Sequence, residues 1–504
     1  MSLVRCVALV VVLSSPAEGQ RQPALDTIGL SDYVASMGRA GQLPDVAVVV
    51  VGPEGPVFQT RFSTGGSGAG PGARGRPDAE DRFSLGAVSE MLTAFAVMRL
   101  VDDGLIDLDT PVVRYLPDLA FSDAVRTGRL TIRHLLDHRS GLPRIGFYSR
   151  RVQVLGRLEH VDFVREPGIA FEASSLDHLV LGRVLEAVSG QPYAVHMTER
   201  LFEPIEMRSV SADGETARRE GVVEGHRYLF GWPVSTQGQA YTGDVVPAAH
   251  LAASASDLGR FLAVLLNQGR RDDTRLLSAS SVLSLLPRGA ARPGTTVPAG
   301  VDNVWKSIRG AEIQAWYRAG VSPGFHALVG VLPRQRLGIV VLASRAGGPG
   351  PNAASALLSG VVDRVLGRPR QTYLPWERIL HLVLLILVIG SILQPLRSHH
   401  RWKAIGQPRA LAHTPLILGR LALEVAIAAA LPLVVILGVA KMSIIELFAI
   451  HPDLALAVIV FPLAAVPTSV WRALVHSEIW RRNRNSAVHA VTGGGSSSRT
   501  TRSP

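Results

Sequence analysis

A serine and a lysine three residues apart on a helix share one face, so the amine can take the hydroxyl proton and create a nucleophile. This chain has three lysines, Lys306, Lys403 and Lys441, and none has a serine three residues before it. Its histidines show no metal-ligand spacing, so neither a metal nor another cofactor is expected. The single cysteine, Cys6, permits no disulfide framework. Gly65 to Arg76 is Gly-rich but lacks the helix-capping pattern of a phosphate cradle. The stretch that does draw attention is Arg82 to Met98, RFSLGAVSEMLTAFAVM. It reads as a loop turning into an amphipathic helix, with Val88, Met91, Leu92, Phe95 and Met98 at helical spacing. Ser89 and Glu90 sit at the start of that helix.

The elements that must position such a helix span about Ala24 to Arg368. Val46 to Val51 is a β-rich apolar run stopped by Gly-Pro-Glu-Gly, and Val57 to Phe62 offers a second strand. Further helices are expected at Leu176 to Gly190, within Pro247 to Gly269, and at Asn352 to Leu366. Phe325 to Leu332 and Leu337 to Ala343 read as a strand pair joined at Pro333 to Arg336. Strands at both ends with helices between predict an α+β domain, an antiparallel sheet covered by helices.

Several segments in this domain resemble, in order, the penicillin-recognising serine hydrolases: class C β-lactamases, D,D-peptidases and related esterases. Besides Arg82 to Pro117, these are LLDHRSGLP (residues 135–143), GRVLEAVSGQPY (182–193), LFEPIEM (201–207) and PAAHLAASASDLGRF (247–261). The resemblance covers about two-thirds of the chain. It implies a sheet domain and a helical domain with an active site between them.

That resemblance also implies three chemical motifs, and the chain departs from each. Ser-x-x-Lys falls on Ala87 and Glu90. A methyl group cannot attack a carbonyl, and Ser89 lies roughly 200° around the helix from Ala87, so a capping or packing role is expected of it. Tyr-x-Asn falls on Ala173-Ser174-Ser175, which removes the proton-relaying phenol. The third motif, Lys- or His-x-Gly, falls on Arg318-Ala319-Gly320, with only the glycine kept. In the family, the motif lysine and the third-motif cation converge on one cleft. The expectation here is a partly buried ion pair between Glu90 and Arg318, because a buried carboxylate without a partner is costly. His138, in the LLDHRSG segment, is expected to be structural.

The formal charge of +11 comes almost wholly from arginine, and much of it flanks apolar runs after residue 396. Membrane orientation explains that surplus better than nucleic acid does. Residues 1–17 read as a secretory signal peptide. Residues 379–396, 421–440 and 454–471 read as three membrane helices, and residues 485–504 as a disordered cytoplasmic tail. The arginines after the first and third runs place those connections inside the cell and residues 24–368 outside.

The expected protein is therefore a multi-pass membrane protein of the bacterial envelope with a large extracytoplasmic domain. Its serine-hydrolase centre is dismantled, and its partners would be the membrane and an envelope peptide, lipid-linked or lipophilic small-molecule ligand. The alternative is an isomerase or cyclase using Glu90 and Arg318 in acid–base chemistry on a lipophilic substrate. The third reading is a serine hydrolase with a relocated nucleophile.

Overall fold

A computed structural model of the chain describes residues 26–64, 81–143, 158–212, 221–236, 246–286, 306–307, 315–345 and 352–368, with scattered positions beyond 372. Its centre is a six-stranded antiparallel sheet. The strands are β1 (Asp45–Gly52), β2 (Gly55–Ser63), β3 (Lys306–Ser307), β4 (Trp316–Ser322), β5 (Phe325–Leu332) and β6 (Leu337–Ala343), in the order β2-β1-β6-β5-β4-β3. The first strand thus pairs with the last, Val48 facing Val341. This is the expected α+β arrangement.

Every residue of β1 is buried. A strand covered on both faces requires an unbroken apolar run, as in DVAVVVVG, where a half-solvated strand would alternate. Val46, Val48 and Val50 pack with Leu30, Val34 and Met37 of helix α1 (Thr27–Ala40) and with residues 353–362. Ala47, Val49 and Val51 belong to the larger core on the opposite face.

Among the further helices are α2 (Ser89–Asp102), α3 (Ile132–Leu136), α4 (Ser175–Ser189), α5 (Ala255–Leu266) and α6 (Ala353–Val365). Their ends follow local chemistry. Ser254 accepts from the Asp257 amide at the start of α5, and Asn352 accepts from the Ser355 amide at the start of α6. Gly190, at φ 69°, closes α4 in the left-handed conformation that a Cβ disfavours.

Helix α2 departs from the amphipathic expectation. Ser89 to Met98 are all buried, including Glu90 and Thr93. It runs inside the larger core beside α4, so the side that the sequence assigns to solvent meets protein instead. Thr93 is satisfied there: its Oγ1 donates to the Pro247 carbonyl at 2.6 Å and lies 2.7 Å from the Tyr193 hydroxyl.

The chain enters α2 through a 3-10 turn, Gly86–Val88, that presses on β4. Gly86 sits at φ 52°, and a Cβ there would stand 2.6 Å from the Val321 amide nitrogen. A Cβ on Gly320 would stand 1.9 Å from the Leu85 carbonyl oxygen. Two residues without side chains therefore let strand and helix start meet backbone to backbone.

Residues 1–17, 65–76 and 421–440 lie outside the described residues, 454–471 and 485–504 lie almost wholly outside them, and 379–396 is described only at scattered positions. Among the described residues, no helix is long and apolar enough to cross a membrane.

Candidate functional site

Three elements converge at the start of α2. The close approach of Gly320 to Leu85 sets Arg318, two residues earlier on the same face of β4, beside the first turn of α2. Arg318 Nη2 donates to Glu90 Oε2, and both side chains are buried. The pairing expected from the sequence is present. Its surroundings were not foreseen.

His138 lies just beyond α3. The short helix is nucleated by Thr131, whose hydroxyl accepts from the His134 amide while His134 Nδ1 accepts from the Thr131 amide. The chain then turns sharply, with His138 at φ 51°, a region in which histidine is enriched among non-glycine residues. The turn brings His138 Nε2 to 3.4 Å from Glu90 Oε2. Its Nδ1 lies 2.8 Å from Asp177 Oδ2, in the first turn of α4. The next residue, His178, places Nδ1 3.9 Å from Glu90 Oε1. The two imidazoles lie 5.0 Å apart, centre to centre, and Phe171 packs edge-on against His138.

Burial and neighbours decide the charges. For Glu90, burial pushes the pKa up, but His178, His138 and Arg318 more than offset this and hold it at about 2. Burial pushes His178 down to about 3, so at neutral pH it is uncharged, and the cations beside Glu90 are Arg318 and His138. His138 is lowered by burial but raised, on balance, to about 9 by its hydrogen bond to Asp177 and the nearby Glu90 carboxylate. Burial raises Asp177 to about 6, against the pull of His138. Two carboxylates thus face two cations around a neutral imidazole.

Of the residues singled out in the sequence, the structure joins Glu90, Arg318 and Gly320. Ala87 lies against Gly320: a Cβ there would be 2.9 Å from the Ala87 nitrogen. Ser89 is fully buried, and its Oγ accepts from the Leu251 amide at 3.2 Å, a packing role. Ala173 is exposed. Ser174 is buried and donates to the Pro143 carbonyl at 2.8 Å, and Ser175 opens α4. Asp177 and His178 were missed, and His138 is tied into the charged cluster besides shaping its turn. Glu90, His138 and His178 lie 40 or more residues apart in sequence, so spacing along the chain carries no trace of their meeting.

A β-lactamase family model matches residues 30–362. Penicillin-binding protein 4 of Amycolatopsis lactamdurans is 31% identical over 215 residues, covering 40% of this chain and 55% of that protein. Putative beta-lactamase-like 1 of Homo sapiens is 26% identical over 294 residues, covering 56% of this chain and 57% of that protein. The chain thus spans little more than half the length of these relatives. Among solved structures, the octameric penicillin-binding protein homologue from Pyrococcus abyssi superposes with a TM-score of 0.56 at 19% identity, over 73% of this chain and 82% of that one. That likeness is one of fold. With the family model running from α1 into α6, across every strand of the central sheet, the chain belongs to the β-lactamase family.

Proposed function

We propose that this protein is a non-acylating member of its family, a pseudoenzyme that binds an envelope peptide, lipid-linked ligand or membrane partner. In this reading it is tethered by the apolar runs after residue 378, with its large domain outside the cell. The observation that carries the reading is the Glu90–Arg318 pair. Where the family places the amine that activates its serine, this chain has a carboxylate, buried and engaged by a guanidinium. With Ala87 at the nucleophile position, neither attack nor activation has an agent.

The acid–base alternative has less support. A general base works best with a pKa near the operating pH. Glu90, held at about 2 and bonded to Arg318, is far from that.

The test is acylation of the purified full-length protein. It is incubated with a fluorescent penicillin and with a fluorophosphonate, and adducts are read by intact mass. No adduct on folded protein is the expected result. A stoichiometric adduct mapped to a serine would overturn the reading and favour a relocated nucleophile.

A further inference from the structure

We propose that Glu90, His138 and His178 form a binding site for one divalent transition-metal ion of the zinc class. The three residues supply one carboxylate and two imidazoles from the start of α2, the turn after α3 and the first turn of α4. One ligand atom from each lies within 4.8 Å of the others. Around a zinc ion with bonds of about 2.0–2.2 Å in tetrahedral geometry, ligand atoms stand roughly 3.3–3.6 Å apart. Here His178 Nδ1 lies 3.9 Å from Glu90 Oε1, while His138 Nε2 lies 3.4 Å from the other oxygen, Oε2.

Two features point to a ligand and not only to an internal charge cluster. First, both ring nitrogens of His178 are buried without a hydrogen-bond partner. A buried polar atom left without a partner is unfavourable. A metal ion taking one of them relieves that cost, and binding to His138 Nε2 releases that nitrogen's proton to solvent. Second, the outer partners are already arranged. Asp177 engages His138 Nδ1, which fixes the ring and turns Nε2 toward Glu90, as outer carboxylates do for metal-bound histidines. Arg318 holds Glu90 Oε2, leaving Oε1 on the side of His178. Nitrogen and oxygen donors without thiolate suit zinc, cobalt or nickel better than calcium or magnesium. Three protein ligands leave one tetrahedral position for water or a ligand.

The site uses the same cluster as the proposed function but does not depend on it, because metal content and acylation are read separately. Full-length protein is stripped with chelator, then titrated with Zn2+ alone and with Co2+ alone. The expected result is one zinc per chain by elemental analysis, and visible d–d bands for cobalt of four- or five-coordinate intensity. His178→Ala and Glu90→Gln should each weaken zinc binding at least 100-fold, and Asp177→Asn 10- to 100-fold. Substituting the exposed His160 by Ala should change nothing. Folded wild-type protein that takes up no zinc and gives no cobalt bands would overturn the site. So would binding undiminished in His178→Ala. If the Glu90 variant does not fold, the cobalt spectrum of the wild type still decides.

Discussion

Arg318 on β4 and Glu90 on α2 are joined by a buried hydrogen-bonded ion pair across 228 positions of sequence. The pair ties β4 of the sheet to α2, in the place where the family's resemblance puts catalysis. Its energetics are asymmetric. Two charges taken from water gain little net stability together, yet either one left alone is severely destabilising.

Arg318→Ala should therefore lower unfolding free energy by about 3–5 kcal/mol, and Glu90→Leu by a similar amount. The double variant Glu90→Leu/Arg318→Met should lose much less than the sum. Urea denaturation of all three, in chelator, checks this. Additive losses would show that the two side chains act independently.

Grafting the family's motif back should not restore acylation. Ala87→Ser/Glu90→Lys supplies the hydroxyl and the amine, but the new ammonium would stand beside Arg318 and His138, where like charges disfavour it. The position of the relaying tyrosine would still be Ala173. We expect no covalent penicillin adduct above wild type by intact mass, together with lowered stability. A stoichiometric adduct would mean that only two side chains separate this chain from its catalytic relatives.

Gly320→Ala tests the backbone contact that aligns the pair. The new methyl would meet the Leu85 carbonyl and the Ala87 and Val88 nitrogens, all main-chain atoms with little room to yield. A loss of about 3 kcal/mol or more is expected in thermal or urea melts, at the upper end of overpacking costs. A neutral outcome would show that the start of α2 is not pressed on β4.

Ser89→Ala separates packing from chemistry. It leaves the buried Leu251 amide without its acceptor, at a cost of about 1–3 kcal/mol. Its reactivity toward the fluorophosphonate should equal that of the wild type. A difference in labelling would make Ser89 a nucleophile.

The outer surface offers a pH prediction with a definite sign. Hydrogen bonds from Arg133 hold Asp109 below its ordinary pKa. A carboxylate lowered on folding adds stability above its unfolded pKa of about 3.9 and loses it as pH falls through the folded value. Asp109 is 71% exposed, so the contribution is discounted to about 0.2–1 kcal/mol and screened by salt. Asp109→Asn should be less stable than wild type at pH 7, and the gap should narrow as pH falls below about 3.9. A gap that persists in acid would assign the loss to something other than charge.

The strand framework was legible because β1, β5 and β6 are unbroken apolar runs between turn signals, a pattern that local sequence records directly. The Glu90–Arg318 pair was legible for a different reason: resemblance supplied the convergence, and the residue types supplied opposite charges. Asp177 and His178 left no such trace. They sit in LDHLVLG, where an apolar helix pattern makes them look like interruptions, and only the packing of α4 against α2 reveals their direction. The complete burial of α2 was hidden likewise, since Ser89, Glu90 and Thr93 read as the solvent side until their partners on other segments are known.

The pairing of β1 with β6 has a consequence for how the chain is made. Val46 to Val51 leave the ribosome about 290 residues before their partner Gly338 to Ala343. At synthesis rates of about 5–20 residues per second, that is a wait of roughly 15–60 s. During it, a valine-rich strand with one open edge has only β2 beside it, the kind of segment that recruits strands from other chains. Truncation anywhere before residue 337 should therefore yield aggregates and not a smaller folded protein, and production in cells should depend on holding chaperones.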